Sequence, residues 1–176
     1  EKQATVGDLL RARSGVYHPA LGESESMRAM RPERHSHSPG TFWYYNNWDF
    51  NALGTIFEQQ TGTGIFEEFN RRLAIPLQME DFRVGHCRYI AWEDYQSAPY
   101  SRHNYYLFRM SARDLARFGL LFLRQGRWGD AQIVPSKWVQ ESTATHSPWG
   151  MGGGYGYMWW TGENAGMLAN VTVREP

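Results

Sequence analysis

The chain has 176 residues and 20.4 kDa, with 18 basic against 18 acidic side chains and 41% apolar residues. That is enough for one domain with a real core, and zero net charge offers no basic surface to nucleic acid or an anionic membrane. No apolar run approaches the roughly 20 residues of a spanning helix, and a single cysteine, Cys87, excludes a disulfide framework and a cysteine-built zinc site.

In chain order, Thr5 with Asp8 three residues later reads as a capped helix start, carried by Leu9 and Leu10 and stopped at Ser14-Gly15. Residues 16–41, rich in Ser, Pro, Arg and His, read as one long irregular loop. From 42 an aromatic run leads into a helix whose Phe50, Leu53, Ile56 and Phe57 share a face, ending at Thr61-Gly62. A second amphipathic stretch carries Ile65, Phe66, Phe69 and Leu73 and breaks at Pro76. Residues 80–107 lack a period and read as coil with a short hairpin. The strongest helix is 112–125, with Ser111 as cap, Asp114 at N3, a buried stripe of Leu115, Phe118, Leu121 and Phe122, and Gly126 as terminator. A turn over 126–132 follows, then a short helix from Pro135 to Thr143. The glycine-rich 151–160 leads into strand. The expected class is α+β, mainly helical: a helical lobe over 1–150 and the start of a sheet over 151–176.

The ends look internal to something longer. Glu1 opens with no Met, charged n-region or apolar signal core, and Val171 and Val173 alternate like a strand without a partner. The expectation is a single partial domain whose N- and C-terminal segments lie elsewhere in the same protein.

Among candidate sites, Tyr45-x-Asn47 stands first. In an extended segment residues i and i+2 face the same side, so a phenol and a carboxamide would share one cleft. The plainer account makes Asn47 a helix N-cap and Tyr45 a packing aromatic. His35-x-His37, with His18, would suit zinc, although a solvated loop explains them as well. Cys87 beside His86 reads as a small buried hydrophobe rather than a nucleophile. Asn170-Val171-Thr172 fits a glycosylation acceptor, relevant only to a eukaryotic secretory route. Trp92, Tyr95, Tyr100, Tyr105, Tyr106 and Phe108 line either a substrate cleft or an aliphatic-poor coil.

The string from 39 to 62, PGTFWYYNNWDFNALGTIFEQQTG, resembles the second-motif region of the serine β-lactamase-like hydrolases. That superfamily includes class C β-lactamases, penicillin-binding DD-peptidases, related esterases and aminohexanoate-oligomer hydrolases. Its pattern of Pro-Gly, an aromatic, Tyr-x-Asn, Leu-Gly and an acid falls on Pro39, Gly40, Phe42, Tyr45, Asn47, Leu53, Gly54 and Glu58. The segments 5–15, 71–79, 111–128, 133–139 and 152–160 are similar to further family segments in the same order, so the resemblance covers nearly the whole chain.

It implies the helical lobe of that fold, with the start of its sheet. The activity implied for the parent is hydrolysis of a small amide or ester substrate through an acyl-serine intermediate, with no metal or organic cofactor. Tyr45 would relay protons and Asn47 would hold the substrate carbonyl, with Tyr44 the alternative if the register shifts by one. Of the three family motifs only this one is present. The two lysines are Lys2 and Lys137, and neither follows a serine by three residues. Trp160-Thr161-Gly162 has the shape of a Lys-Thr-Gly motif without the cation, and comes too early. An ordinary tyrosine, with a pKa of about 10, needs the missing lysine to favour phenolate. The 176 residues alone are therefore expected to be inert, and a non-catalytic binding or structural homologue of the same fold is the competing reading.

Overall fold

The computed structural model describes residues 1–91, 101–149 and 153–162. Helix α1 (Val6–Leu10) opens with the expected capping box: Thr5 Oγ1 accepts from the Asp8 amide, and the Asp8 carboxylate accepts from the Thr5 amide. It ends sooner than Ser14-Gly15. Ala12 takes a left-handed conformation (φ 53°), the Ala12 amide bonds to Leu9 O and the Arg13 amide to Asp8 O. That is a Schellman termination with alanine where glycine is usual.

The loop expected over 16–41 is not uniformly irregular. Helix α2 (Glu25–Met30) forms within it, capped by Ser24, whose hydroxyl accepts from the Met27 amide. An ion pair between Glu23 and Arg31 (2.6 Å) clasps its two ends. None of its residues is buried, which leaves no apolar stripe for a periodicity argument to find.

Helix α3 (Asn47–Thr61) is the long helix of the lobe, and Gly62 closes it in the left-handed region. Helix α4 (Ile65–Phe69) follows and widens into π-helical turns over Asn70–Ala74 before Pro76. Antiparallel β1 (Arg88–Ile90) and β2 (Tyr105–Leu107) make the expected hairpin. Phe66, Ala74, Phe82 and Cys87 form a buried core between these elements, with Phe69 and Phe108 packed on it. Cys87 is thus the small buried hydrophobe it resembled in sequence.

Helix α5 (Ala112–Leu123) starts at Ser111, whose hydroxyl accepts from the Asp114 amide. The Asp114 carboxylate, fully buried, accepts from the Glu80 and Asp81 amides and so pins a distant loop. The expected stripe holds for Leu121 and partly for Phe118 and Phe122. Leu115, however, is 55% exposed. The helix ends as α1 does, with Gln125 left-handed and the Gly126 amide on Leu121 O.

The turn over 126–132 is a tight hairpin of β3 (Arg127–Trp128) and β4 (Ala131–Gln132), and α6 (Ser136–Thr143) follows Pro135. A three-stranded antiparallel sheet then forms in the order β5 (Ser147–Trp149), β6 (Gly153–Tyr155), β7 (Trp160–Gly162). The Met158 amide donates to Leu10 O, Arg13 Nε donates to Ser147 Oγ, and Trp159 packs on Phe122. These contacts seat the sheet against α1 and α5. The tail with Asn170, Val171 and Val173, and the aromatics Trp92, Tyr95 and Tyr100, lie outside the described residues.

Candidate active site

The site is built where an extended segment runs into α3. The helix cap is Asn46, not Asn47: Asn46 Oδ1 accepts from the Asp49 amide (2.9 Å) and its Nδ2 donates to Tyr44 O. With the cap filled one residue earlier, Asn47 is released from that duty. Its Nδ2 donates to Leu21 O at 3.3 Å, beside a second carboxamide, Asn51, on the same carbonyl at 3.1 Å. Gly22 makes this close approach feasible. Its φ is +79°, and a Cβ there would lie 2.8 Å from Asn47 Nδ2 and 3.3 Å from the Tyr105 ring.

Tyr45 and Asn47 line one cavity of about 610 Å³. Its walls are largely apolar, supplied by Leu10, Phe50, Leu53, Phe57, Phe108 and Met158 among others, while Tyr45, Asn47 and Asn51 bring polar atoms to it. Tyr105 and Tyr106 line it too, so the half of the expected aromatic cleft that is described does face a cavity. Tyr45 sits in an aromatic nest, its ring centroid 5.0 Å from Phe50, 5.1 Å from Trp160 and 5.8 Å from Tyr155. Burial pushes its phenol above the ordinary value of about 10, and nearby Tyr105 adds to the rise.

Tyr44 is a different kind of residue. It is buried and its hydroxyl donates to Met27 O at 2.6 Å, which commits it to holding α2. Burial raises its phenol as well.

The histidines do not assemble a metal site. His37 stacks on Phe42 (4.1 Å) and meets Tyr17 and Ser36, whereas His35 and His18 lie near the Glu1 carboxylate. Among the described residues no group of three potential ligands converges. His35 takes a left-handed backbone (φ 67°), so His35 and His37 do not share the one side expected of an extended segment.

Two neighbours of the pair were not legible in sequence. Trp160 lies in β7, half exposed, with its ring against Tyr45. The Trp-Thr-Gly string thus runs beside the site but brings an indole there instead of a cation. Asp49, fully buried, bonds Ser14 from 35 positions away (Ser14 Oγ to Asp49 Oδ1, 2.5 Å). Its only local signal was an acid in a first helical turn, which ordinarily means a dipole contact.

The family profile named Beta-lactamase matches residues 1–174. The chain belongs to the β-lactamase family. Solved structures agree in fold. A protein assigned as a 6-aminohexanoate-dimer hydrolase from Bacillus anthracis superposes with a TM-score of 0.65 at 20% identity, over 92% of this chain and 48% of that one. The octameric penicillin-binding protein homologue from Pyrococcus abyssi gives 0.60 at 20% identity, over 89% and 43%. A penicillin-binding protein from Bacillus halodurans gives 0.59 at 18%, over 93% and 57%. The chain therefore spans about half the length of the structures it matches. No curated protein sequence matches it. Membership places the chain in a superfamily of serine hydrolases, on the fold expected from its second motif.

Proposed function

We propose that this chain is the Tyr-x-Asn part of a serine hydrolase that cleaves an amide or ester bond in a small substrate through an acyl-serine intermediate. The observation that carries the reading is the convergence of Tyr45 and Asn47 on one large cavity. In the reaction the serine oxygen attacks the carbonyl carbon and its proton passes through Tyr45 to the leaving nitrogen or oxygen. Water then attacks the ester so formed and releases the acid. Asn47 holds the carbonyl in line for both attacks. No organic cofactor or metal has a part in this scheme.

The serine and its lysine are not among these 176 residues. The apolar cavity is the seat we assign to the element that carries them, since an unfilled apolar trough beside polar reacting groups is where a missing packing partner fits. The raised phenol of Tyr45 agrees with that division of labour. With no cation beside it among the described residues it stays a neutral phenol at pH 7, and it becomes a base only when the lysine arrives.

The test is Tyr45→Phe in the parent protein that contains the serine. The expected loss in kcat is about 10²- to 10⁴-fold, with labelling by a fluorophosphonate slowed in parallel. Full activity in that variant would sink the assignment. The 176-residue chain alone should hydrolyse an activated ester no faster than buffer does. A parent chain with no serine to label would favour the binding-homologue reading, for which the absence of Ser-x-x-Lys here is the supporting observation.

A further inference from the structure

The joint between the Tyr45 segment and α3 is held by a buried polar cluster as well as by the Tyr45–Phe50 ring contact. Asp49, at the third position of α3, is completely inaccessible to solvent. Its amide is clasped by the Asn46 side chain, its Oδ1 accepts from Ser14 Oγ, and Ser14 Oγ in turn accepts from the Val16 amide at 3.0 Å. Asp49 Oδ2 has no hydrogen-bond partner. A buried carboxylate with one bare oxygen is costly, because nothing replaces the water it lost. A neutral carboxylic acid is far cheaper in that place.

No cation among the described residues offsets it. From α1, Asp8 faces it with like charge. From the loop after α1 come the Ser14 hydroxyl and the Tyr17 phenol, whose own proton the Asp49 charge holds on more tightly. From α3 comes the Asn46 side chain, and from β6 the Tyr155 phenol, which also feels Asp49.

We propose that Asp49 is a positioning residue for the Tyr45–Asn47 pair, its carboxyl tying Ser14 to the start of α3, and that ionisation in this dry place loosens the joint, because the Ser14 bond, though strengthened by the charge, does not replace the water lost from Oδ2. The residue touches neither substrate nor reacting atoms. It acts through Asn46, which lies between Tyr45 and Asn47 and caps the helix that carries Asn47. Burial sets the direction of its titration and lifts the carboxyl to about 7, against the pull of the Ser14 and Asn46 hydrogen bonds. An aspartate in the unfolded chain titrates near 3.9. The contribution of Asp49 to stability is therefore complete below about pH 4 and is lost as pH rises through 7. His103, whose imidazole burial pushes down, titrates in part of that window with the opposite sign, so only a difference between variants isolates Asp49.

The inference deepens the proposed role of Tyr45 and Asn47 and rests on that reading only for what the joint serves. Its test uses the 176-residue chain, with no catalysis involved. Carboxyl-carbon NMR across pH 4–9 should show the Asp49 resonance turning over near neutrality, with the amides of Ser14, Asn46, Tyr45 and Asn47 shifting at the same midpoint. Asp49→Asn, neutral and nearly isosteric, should abolish those shifts. Its melting temperature should gain on the wild type by roughly 5–10 °C between pH 5 and pH 8. Ser14→Ala removes a bond to the charged form and should move the Asp49 midpoint further up, which keeps the test alive if Asp49→Asn fails to fold. A carboxyl that titrates below pH 5 would overturn the proposal. So would a neutral titration that leaves Tyr45 and Asn47 unmoved. Failure of Tyr45→Phe to lower activity in the parent would sink the catalytic reading and leave this titration standing.

Discussion

The two flanks of the lobe solve the packing problem in opposite ways. Around Phe66 the apolar side chains are spent on one another. Phe66 is 1% exposed, with Phe108 and Tyr89 at 4.8 and 4.7 Å from its ring and Phe69 against Phe82 at 4.9 Å. Along α3 the pattern is inverted. The residues it buries are Asp49, Asn51, Ala52 and Gly54, small or polar, while the large apolar Phe50, Leu53, Ile56 and Phe57 stand half covered around the cavity. A helix that buries its polar residues and leaves its phenylalanines open is one half of an interface. The first flank is closed by described residues; among the described residues the second stays open, and in the proposed reading the serine-bearing element covers it.

That contrast sets the order of expected effects. Phe66→Ala should cost about 3–5 kcal/mol, because the cluster around it is closed and cannot collapse into the space. Urea denaturation measures it. Asp114→Ala should cost about 1–3 kcal/mol by leaving the Glu80 and Asp81 amides without an acceptor. It should also loosen the loop that leads into Phe82. Phe57→Ala should cost under about 1 kcal/mol in this chain, since that ring already faces open volume. If the serine-bearing element of the proposed reading covers the cavity, the same change should cost several times more in its presence. If Phe57→Ala and Phe66→Ala proved equally damaging in the 176-residue chain, the cavity would be closed in solution and the comparison would fail.

What was readable in the sequence follows the same division. The box of Thr5 and Asp8, the span of α3 and the cap at Ser111 are settled within a few residues of themselves, so local chemistry reveals them. The fate of Asp114 was not readable, although its helical position was, because its partners are more than 30 residues away. Leu115 looked like a core residue by spacing alone, and is exposed because nothing described packs on that side of α5. The helix α2 was hidden since it buries no apolar face, and its clasp of Glu23 on Arg31 spans eight positions. Tyr45 and Asn47 were singled out by their spacing and by resemblance, yet the cap was misplaced by one residue. Two adjacent asparagines offer the same chemistry to the helix start, and only the backbone of Asn46, extended at φ −146° and ψ 145°, distinguishes them.

The Glu58 side chain, near the end of α3, gathers three elements at one point. It accepts from the Ile65 amide at the start of α4, from the Tyr89 hydroxyl of β1 and from the Tyr106 hydroxyl of β2. Gly54, one turn earlier, admits the Tyr106 ring so closely that a Cβ there would come within 2.3 Å of it. In hydrogen-exchange terms, the first turn of α4 and the β1–β2 hairpin are then not independent openings. Release of the Glu58 bonds frees both, so their amides should exchange as one cooperative unit, with a shared dependence on denaturant.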